Sequence, residues 1–364
     1  MLKLEVWRPL VWALIIEAEK IMLNRKVITP VLLFAATLLL AACGGPEQAN
    51  LQGQTMGTYY SIKYVAESSS PSSESIQAEI DKRLEEVNDQ MSTYRPDSEL
   101  SRFNQFKEVN VPFPVSAATA KVVKEAIRIN ELTNGALDVT VGPLVNLWGF
   151  GPEGRVTKAP TDSELEKRRA WVGIEKLSVQ GNNLIKTIPE LYVDLSSIAK
   201  GYGVDVVAEY LESININNYM VDIGGEVRTK GKNGKGAPWR IAIEKPQTDG
   251  VNQTAQEVIE PGDMSIATSG DYRNYFEQDG VRFSHTIDPK TGMPIKHNLV
   301  SITVLAPTCM SADGLSTGLN VLGPVEGFAL AEKLDIPVFM IIKTEKGFEE
   351  RYTKAFEPFL QKKQ

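Results

Sequence analysis

The chain has 364 residues, a formal net charge of −7 and two cysteines. A chain of this length buries a large apolar core without disulfides. An acidic balance with no basic cluster argues against nucleic acid or an anionic membrane surface as a partner. The sequence contains no G-x-G-x-x-G, P-loop, C-x-x-C or G-x-S-x-G motif, so the commonest nucleotide-binding, redox and hydrolase classes are not indicated.

The N-terminus has the pattern of a secretion signal. Arg25 and Lys26 precede an apolar run over Val27–Leu40, and Cys43 follows two alanines, as in a bacterial lipoprotein signal. The alternative is a transmembrane anchor, but about 14 residues are fewer than the roughly 20 needed to span a bilayer. We therefore expect residues 1–43 to be removed, Cys43 to be lipidated, and the mature protein to be a membrane-anchored lipoprotein in the periplasm.

Two further features surround this signal. Residues 1–21 contain Glu5, Glu17 and Glu19 where a signal is normally basic, so we expect translation to start at Met22. Residues 44–53 (GGPEQANLQG) are predicted to form a tether between the lipid anchor and the folded domain, which we place at residues 54–364.

The first half of the folded part alternates between strand and helix patterns. A strand is predicted over Thr55–Val65, and apolar residues then recur at helical spacing from Ile76 to Met91. Ser98 is a candidate cap for a new helical turn, and a second amphipathic helix is predicted over Ser116–Thr133. Beyond the glycine-punctuated segment Gly135–Gly151, the pattern indicates a capping box and a hairpin, at Thr161–Glu164 and Lys176–Ile188.

The segment Tyr192–Asp205 runs from a strand pattern into a helix. Free N–H groups and the positive dipole end at a helix N-terminus suit a phosphate, and Lys200 adds a charge there. An ordinary capped helix with a surface lysine fits these residues equally well.

The second half is predicted to be richer in strands than in helices. A strand over Tyr219–Arg228 bends at Gly224-Gly225, and a hairpin is predicted around Asp279-Gly280. The remaining predicted elements are the strands Trp239–Glu244, Leu299–Leu305 and Ile336–Lys343 and the helices Thr308–Asn320 and Val325–Leu334. Because strands outnumber helices and adjoin through short turns, we predict a mostly antiparallel α+β fold with packed helices.

Asp313 and Thr317 lie one turn apart on the predicted helix Thr308–Asn320. A carboxylate and a hydroxyl on one helix face are hard oxygen ligands of the kind that Mg²⁺ takes, together with substrate phosphates. The alternative is local: Asp313 caps or pairs nearby, and Thr317 bonds back to its own helix.

Eight segments of the chain, in order over about residues 52–325, together resemble one family. They are QTMGTYYSI, MSTYRPDSELSRFN, GALDVTVGPLVNLWGFG, VDLSSIAKGYGVD, YMVDIGGEVR, SIATSGDYRNYF, SHTIDPKTGMPI and ADGLSTGLNVLG. The family is that of the periplasmic FAD:protein FMN transferases, the ApbE type of flavin transferase. This resemblance implies an ApbE-like α+β fold with an FAD cleft between two subdomains.

The resemblance also implies a reaction and its partners. FAD is cleaved at its pyrophosphate in the presence of Mg²⁺, the FMN half is esterified to a threonine of a partner protein, and AMP is released. The acceptors of the family are flavin-carrying subunits of membrane redox complexes, such as the sodium-pumping NADH:quinone reductase and its Rnf relatives. Two alternatives remain open, namely an FAD pyrophosphatase with water as the acceptor, and a lipid-anchored protein that binds flavin without catalysis.

Site residues follow from the same resemblance, by position in the matching segments. His285 is the implied base for the acceptor threonine, whereas His297 is expected to be a surface residue. The implied magnesium ligands are Asp313, Thr317, the carbonyl of Met310 and the region of Ser197. The implied FAD site is lined by Met56, Tyr94, Ala136, Leu137 and Asp138 and closed by Asp194, Lys200 and Ile287. Because some relatives carry an acid where this chain has Ser316, the metal shell differs among members.

Overall fold

The structure is a computed structural model that describes residues 48–154, 156, 158–244, 255–270, 275–278 and 281–360. Gln48–Gln364 form one compact unit. The predicted signal, Cys43 and the start at Met22 lie outside the described residues. Among the described helices, none is long and apolar enough to cross a bilayer.

The largest sheet has eight strands in the order β1-β2-β6-β7-β10-β13-β14-β15, and each neighbouring pair is antiparallel. This arrangement confirms the predicted antiparallel α+β fold. The strands are β1 Gln48–Thr55, β2 Thr58–Val65, β3 Phe113–Pro114, β4 Leu177–Gln180, β5 Asn183–Lys186, β6 Tyr219–Ile223, β7 Glu226–Lys230, β8 Ile241–Glu244, β9 Ala255–Ile259, β10 Ser265–Gly270, β11 Tyr275–Gln278, β12 Val281–Ser284, β13 Leu299–Ala306, β14 Val338–Thr344 and β15 Gly347–Tyr352.

Helices pack against this sheet along apolar stripes. The α-helices are α1 Ser73–Met91, α2 Glu99–Gln105, α3 Ala117–Leu132, α4 Gly142–Leu147, α5 Asp162–Arg169, α6 Ala199–Ser213 and α7 Cys309–Lys333, and short 3₁₀ turns lie at Ile174–Lys176 and Lys354–Phe359. The predicted stripe of α1 is buried, and it packs with α6 against β2 and β6. Ser98 caps α2 and the capping box at Thr161 opens α5, as predicted. Ser116, the first residue of the second predicted helix, caps α3.

The N-terminal strand corrects two predictions. Met56 (φ 50°) and Gly57 (φ 70°) form a left-handed turn, so the predicted strand Thr55–Val65 starts only at Thr58 as β2, and Thr55 ends β1, the other strand of the hairpin. Such a pair of left-handed residues matches the twist of the two strands it joins. The prediction of a tether at residues 44–53 is wrong from Gln48 onward, because that part of β1 pairs with β2 in the main sheet.

The segment α7 contains the two predicted helices, which are separated at Gly323, whose φ of 75° and ψ of −173° are not helical, directly before Pro324. A third prediction, for His297, is corrected. His297 is half-buried rather than on the surface: its ring lies against Gly323, and its Nε2 is 2.7 Å from the carbonyl oxygen of Asn320. The turn residues of the predicted hairpin at Asp279-Gly280 lie outside the described residues, whereas the flanking strands β11 and β12 pair with each other.

Candidate active site

The N-terminus of α6 contacts the first turns of α7. The backbone N–H of Gly201 donates to Oδ2 of Asp313 at 2.9 Å. A Cβ atom at Gly201 would lie 2.3 Å from the carbonyl oxygen of Cys309, so only glycine permits this approach. The Asp313 carboxylate, only 4% exposed, is therefore held at the positive end of α6.

Two buried carboxylates act on the ammonium group of Lys200. Its Nζ is 2.5 Å from Oε1 of Glu226, a residue of β7 that is 4% exposed, and Asp313 also attracts the ammonium group. Burial alone would lower the pKa of Lys200, but the two acids outweigh it and raise the pKa. Burial raises the pKa of Glu226 although Lys200 opposes the rise.

One oxygen of this cluster has no partner. Oε2 of Glu226 is buried and makes no hydrogen bond among the described residues. Buried polar atoms are normally paired, so an unpaired carboxylate oxygen beside a lysine is a site for a donor that arrives with a ligand or water.

Hydroxyl groups lie one turn along α7 from Asp313. Oγ of Ser269, on β10, is 3.3 Å from Oγ1 of Thr317 and 2.8 Å from Oγ of Ser316. Ser316 also donates to the carbonyl oxygen of Asp313 at 2.9 Å. Met310 is buried in the first turn of α7, and Ser197 lies in the turn that leads into α6. The four predicted metal ligands thus belong to the adjoining ends of two helices.

This donor set fits magnesium. It consists of one carboxylate with hydroxyl and carbonyl oxygens, and Mg²⁺ takes one or two carboxylates together with water and substrate phosphates. Within the described parts of the chain, no three His, Cys, Asp or Glu residues form a cluster that could hold a metal. Such clusters are typical of zinc sites, whereas the oxygen ligands around Asp313 suit a cation that shares its shell with a phosphate.

A cavity of about 1210 Å³ opens beside Lys200. Met56, Tyr94 and Lys200 all line it, together with Ser196 and the face of α1. Tyr94 is 66% exposed at the rim, and partial burial of its hydroxyl together with the nearby Asp194 carboxylate raises its pKa. Three of the predicted FAD residues therefore line one cavity, and Asp194 is near enough to Tyr94 to affect its pKa.

The segment from Ala136 to Asp138 occupies a different place. Ala136 and Leu137 are buried, and Leu137 packs against α7 at Gly314 and Gly318. Asp138 accepts hydrogen bonds from the backbone and hydroxyl of Thr140, and it lines a second cavity of about 430 Å³. The structure thus brings this segment to the metal-site helix rather than to the wall of the large cavity.

His285 approaches the large cavity through Phe150. The ring centroids of the two residues are 6.4 Å apart in an edge-on arrangement, and the carbonyl oxygen of Phe150 accepts a hydrogen bond from the Tyr94 hydroxyl at 3.4 Å. Ile287 is buried in a hydrophobic cluster with Leu144 and Trp148. Cys43, the predicted lipidation site, lies outside the described residues.

Sequence reasoning missed Glu226 and Ser269. Both residues belong to segments that carry the family resemblance, YMVDIGGEVR and SIATSGDYRNYF. Neither segment contains a local spacing that points to Lys200 or Thr317, because β7, β10 and the two helices meet only in the folded sheet. A buried acid directly after the Gly-Gly bend was the one available signal.

A family model provides the deciding comparison. The model of the ApbE family matches residues 56–340. The chain belongs to the ApbE family. Relatives from Vibrio cholerae and Haemophilus influenzae, both named FAD:protein FMN transferase, are 64% and 54% identical; the matches cover 90% and 93% of this chain and 98% and 100% of those proteins. The prediction that the chain is an enzyme of this family is confirmed.

Solved ApbE structures have the same fold. The flavin transferase ApbE from Vibrio cholerae aligns with a TM-score of 0.81 at 62% identity, over 86% of this chain and all of that chain. The apo form of the flavinyl transferase ApbE from Pseudomonas stutzeri also gives 0.81, at 40% identity, over 87% and 98% of the two chains. The described fold of this family member is therefore that of an ApbE flavin transferase.

Proposed function

We propose that this ApbE-family enzyme transfers FMN from FAD to a threonine hydroxyl of a partner protein, with Mg²⁺ and with release of AMP. A bond forms between the threonine Oγ and the FMN phosphorus, and the bond from that phosphorus to the bridging oxygen of the pyrophosphate breaks. The threonine proton leaves to a base, and the bridging oxygen departs with AMP. The names and titles of the relatives support the transfer of flavin to protein.

The observation that carries the proposal is the environment of Lys200. Its ammonium contacts Glu226 and is attracted by Asp313, and Lys200 lines a cavity of about 1210 Å³ at the N-terminal end of α6. Phosphoryl transfer needs positioning and charge neutralisation more than covalent chemistry by the protein. A lysine beside a large cavity, at the positive end of a helix, supplies both for a pyrophosphate.

Asp313, Thr317, the Met310 carbonyl and the Ser197 region would hold Mg²⁺. When bound, the ion would neutralise negative charge on the pyrophosphate oxygens. Burial raises the pKa of Asp313, so a dication beside it favours the ionised carboxylate. Lys200, held by Glu226, would bind the same anion from the side of α6.

His285 is the proposed base for the acceptor threonine. Histidine is the side chain that most often acts as a general base in enzymes. Its edge-on contact with Phe150 places the ring next to the rim formed by Tyr94. An acceptor segment that enters over this rim would bring its hydroxyl between the histidine and the pyrophosphate.

The partner and the location are proposed on the sequence. We infer that the acceptor is a flavin-carrying subunit of a membrane redox complex and that the enzyme is anchored through Cys43 on the periplasmic face. Lipidation would hold both proteins at one membrane surface. The expected outcome for Cys43→Ala is loss of palmitate labelling and release into the periplasmic fraction.

An acceptor-labelling assay tests the function. The enzyme is incubated with FAD and a candidate acceptor domain, with Mg²⁺ or with EDTA, and both the fluorescence of the denatured acceptor and the released nucleotides are measured. Transfer predicts a covalently fluorescent acceptor and one AMP per label, both abolished by EDTA. Free FMN and AMP with an unlabelled acceptor would indicate a pyrophosphatase, and bound FAD without any AMP would indicate a binding protein.

A further inference from the structure

Asp205 is a buried carboxylate of α6 whose two oxygens both bond to the start of α7. Oδ1 accepts the N–H of Cys309 and Oδ2 accepts the N–H of Met310, each at 2.9 Å. The first N–H groups of a helix have no partner within the helix. Asp205, only 2% exposed, therefore caps α7 from a neighbouring helix, in addition to the local cap Thr308.

The hydrogen bonds of Asp205 to the start of α7 and the hydrogen bond from Gly201 to Asp313 connect the two helices at two points. On α6 the tied residues are Gly201 and Asp205, and on α7 they are Asp313 and Cys309. The residues are four apart on each helix, which is about one turn. Two hydrogen-bonded connections one turn apart fix both the rotation and the axial position of α7 relative to α6.

The strand β7 holds the other side of α6. Arg228 donates from Nη1 to Oδ1 of Asp205 at 2.8 Å, and Glu226 contacts Lys200 at 2.5 Å. Residues two apart on a strand point to the same face of the sheet, so one face of β7 orients both Lys200 and Asp205. The Asp205 carboxylate cannot turn away from α7 without losing Arg228 as well.

We propose that Asp205 is a positioning residue for the metal site, and this inference rests on the proposed function. Its carboxylate fixes the first turn of α7, which carries Met310 and leads into Asp313 and Thr317. Loss of the carboxylate charge would let this turn shift relative to α6. The oxygen atoms of the proposed metal ligands would then be displaced from the positions that suit the cation. Outer-shell partners of metal ligands typically change affinity by 10–100-fold.

The test compares Asp205→Asn with a matched capping residue elsewhere. Glu99 is a buried acid that caps another helix, since its Oε2 accepts the hydroxyls of Ser116 and Thr119 at 2.8 Å each. Mn²⁺, which suits the same oxygen ligands, is titrated into each full-length enzyme in the presence of FAD and without an acceptor, and free Mn²⁺ is measured by electron paramagnetic resonance. Thermal unfolding and the Mg²⁺ dependence of transfer are measured in parallel.

The expected result for Asp205→Asn is at least a tenfold rise in the Mn²⁺ Kd and in the Mg²⁺ concentration for half-maximal rate. Glu99→Gln is expected to lower the melting temperature and to leave both metal constants within about twofold. Wild-type Mn²⁺ affinity in Asp205→Asn, or an equal loss of Mn²⁺ affinity in Glu99→Gln, would overturn this inference but not the proposed function. Absence of FAD-dependent Mn²⁺ binding in the wild-type enzyme would overturn the proposed metal site itself.

Discussion

A methyl group at Gly201 is expected to lower the transfer rate strongly and the free energy of unfolding only slightly. The Cβ of Gly201→Ala would lie 2.3 Å from the carbonyl oxygen and 2.6 Å from the carbonyl carbon of Cys309, and 2.8 Å from Cβ of Asp313. Ordinary contacts begin near 3.4 Å, so α7 must retreat by about 1 Å. The atoms that must move are largely helix backbone, which has no alternative rotamer.

The expected loss of stability in Gly201→Ala is small, whereas the expected loss of transfer rate is large. Overpacking costs about 1–3 kcal/mol of unfolding free energy, and alanine regains about 1 kcal/mol of helix propensity over glycine. The net loss of stability is therefore at most about 2 kcal/mol. A displacement of about 1 Å at a reacting centre lowers the rate by about 100-fold. Gly201→Ala should thus remain folded and lose most of its transfer activity.

A single-turnover assay checks this expectation. The rate of acceptor fluorescence is measured with enzyme in excess over FAD, and stability is measured by urea unfolding. Gly314→Ala is the control, since its added methyl meets the terminal Cδ1 of Ile129 at 2.7 Å, which is the end of a side chain rather than helix backbone. A wild-type rate in Gly201→Ala, or an equal loss in Gly314→Ala, would refute the argument that α6 and α7 require this close approach.

Two further predictions concern single side chains. His285→Gln should lower the transfer rate by about 10²–10⁴-fold at unchanged FAD affinity, because it removes the proposed base. The control is His297→Gln, whose transfer rate should stay within a few-fold of the wild-type rate. Lys186 is fully buried, and burial, reinforced by Lys107, lowers its pKa to about 8. A lysine whose pKa is lower in the folded state destabilises the protein below pH 8, and the penalty is relieved as the pH rises towards the unfolded pKa near 10.5. Urea unfolding should therefore show wild-type stability rising by about 2–3 kcal/mol relative to Lys186→Met between pH 7 and pH 10, and parallel pH profiles would contradict this reasoning.

Local patterns predicted much of the fold because they are determined by neighbouring residues. The apolar stripe from Ile76 to Met91 and the caps at Ser98 and Ser116 lie where the helical period and capping chemistry place them. The tether prediction failed for a long-range reason. β1 has polar and glycine residues that resemble a linker, but it pairs with β2 and buries Leu51 in the core.

The site was predictable only in part. Asp313 and Thr317 could be proposed as a pair because one helical turn separates them, and Met56, Tyr94 and Lys200 line the large cavity. The partners of these residues come from distant strands, and no local spacing indicates that β7 carries the acid that contacts Lys200. Long-range ion pairs depend on sheet order, which short-range patterns do not specify.

The central claim is that Asp313 holds the cation required for transfer of FMN. The most direct measurement is the single-turnover rate of FMN transfer by Asp313→Ala at saturating Mg²⁺, with folding verified by thermal unfolding. The predicted result is a loss of at least about 100-fold, as for removal of a major electrostatic contact in the transition state. A folded Asp313→Ala enzyme that labels the acceptor at the wild-type rate, with the same dependence on Mg²⁺, would contradict the account.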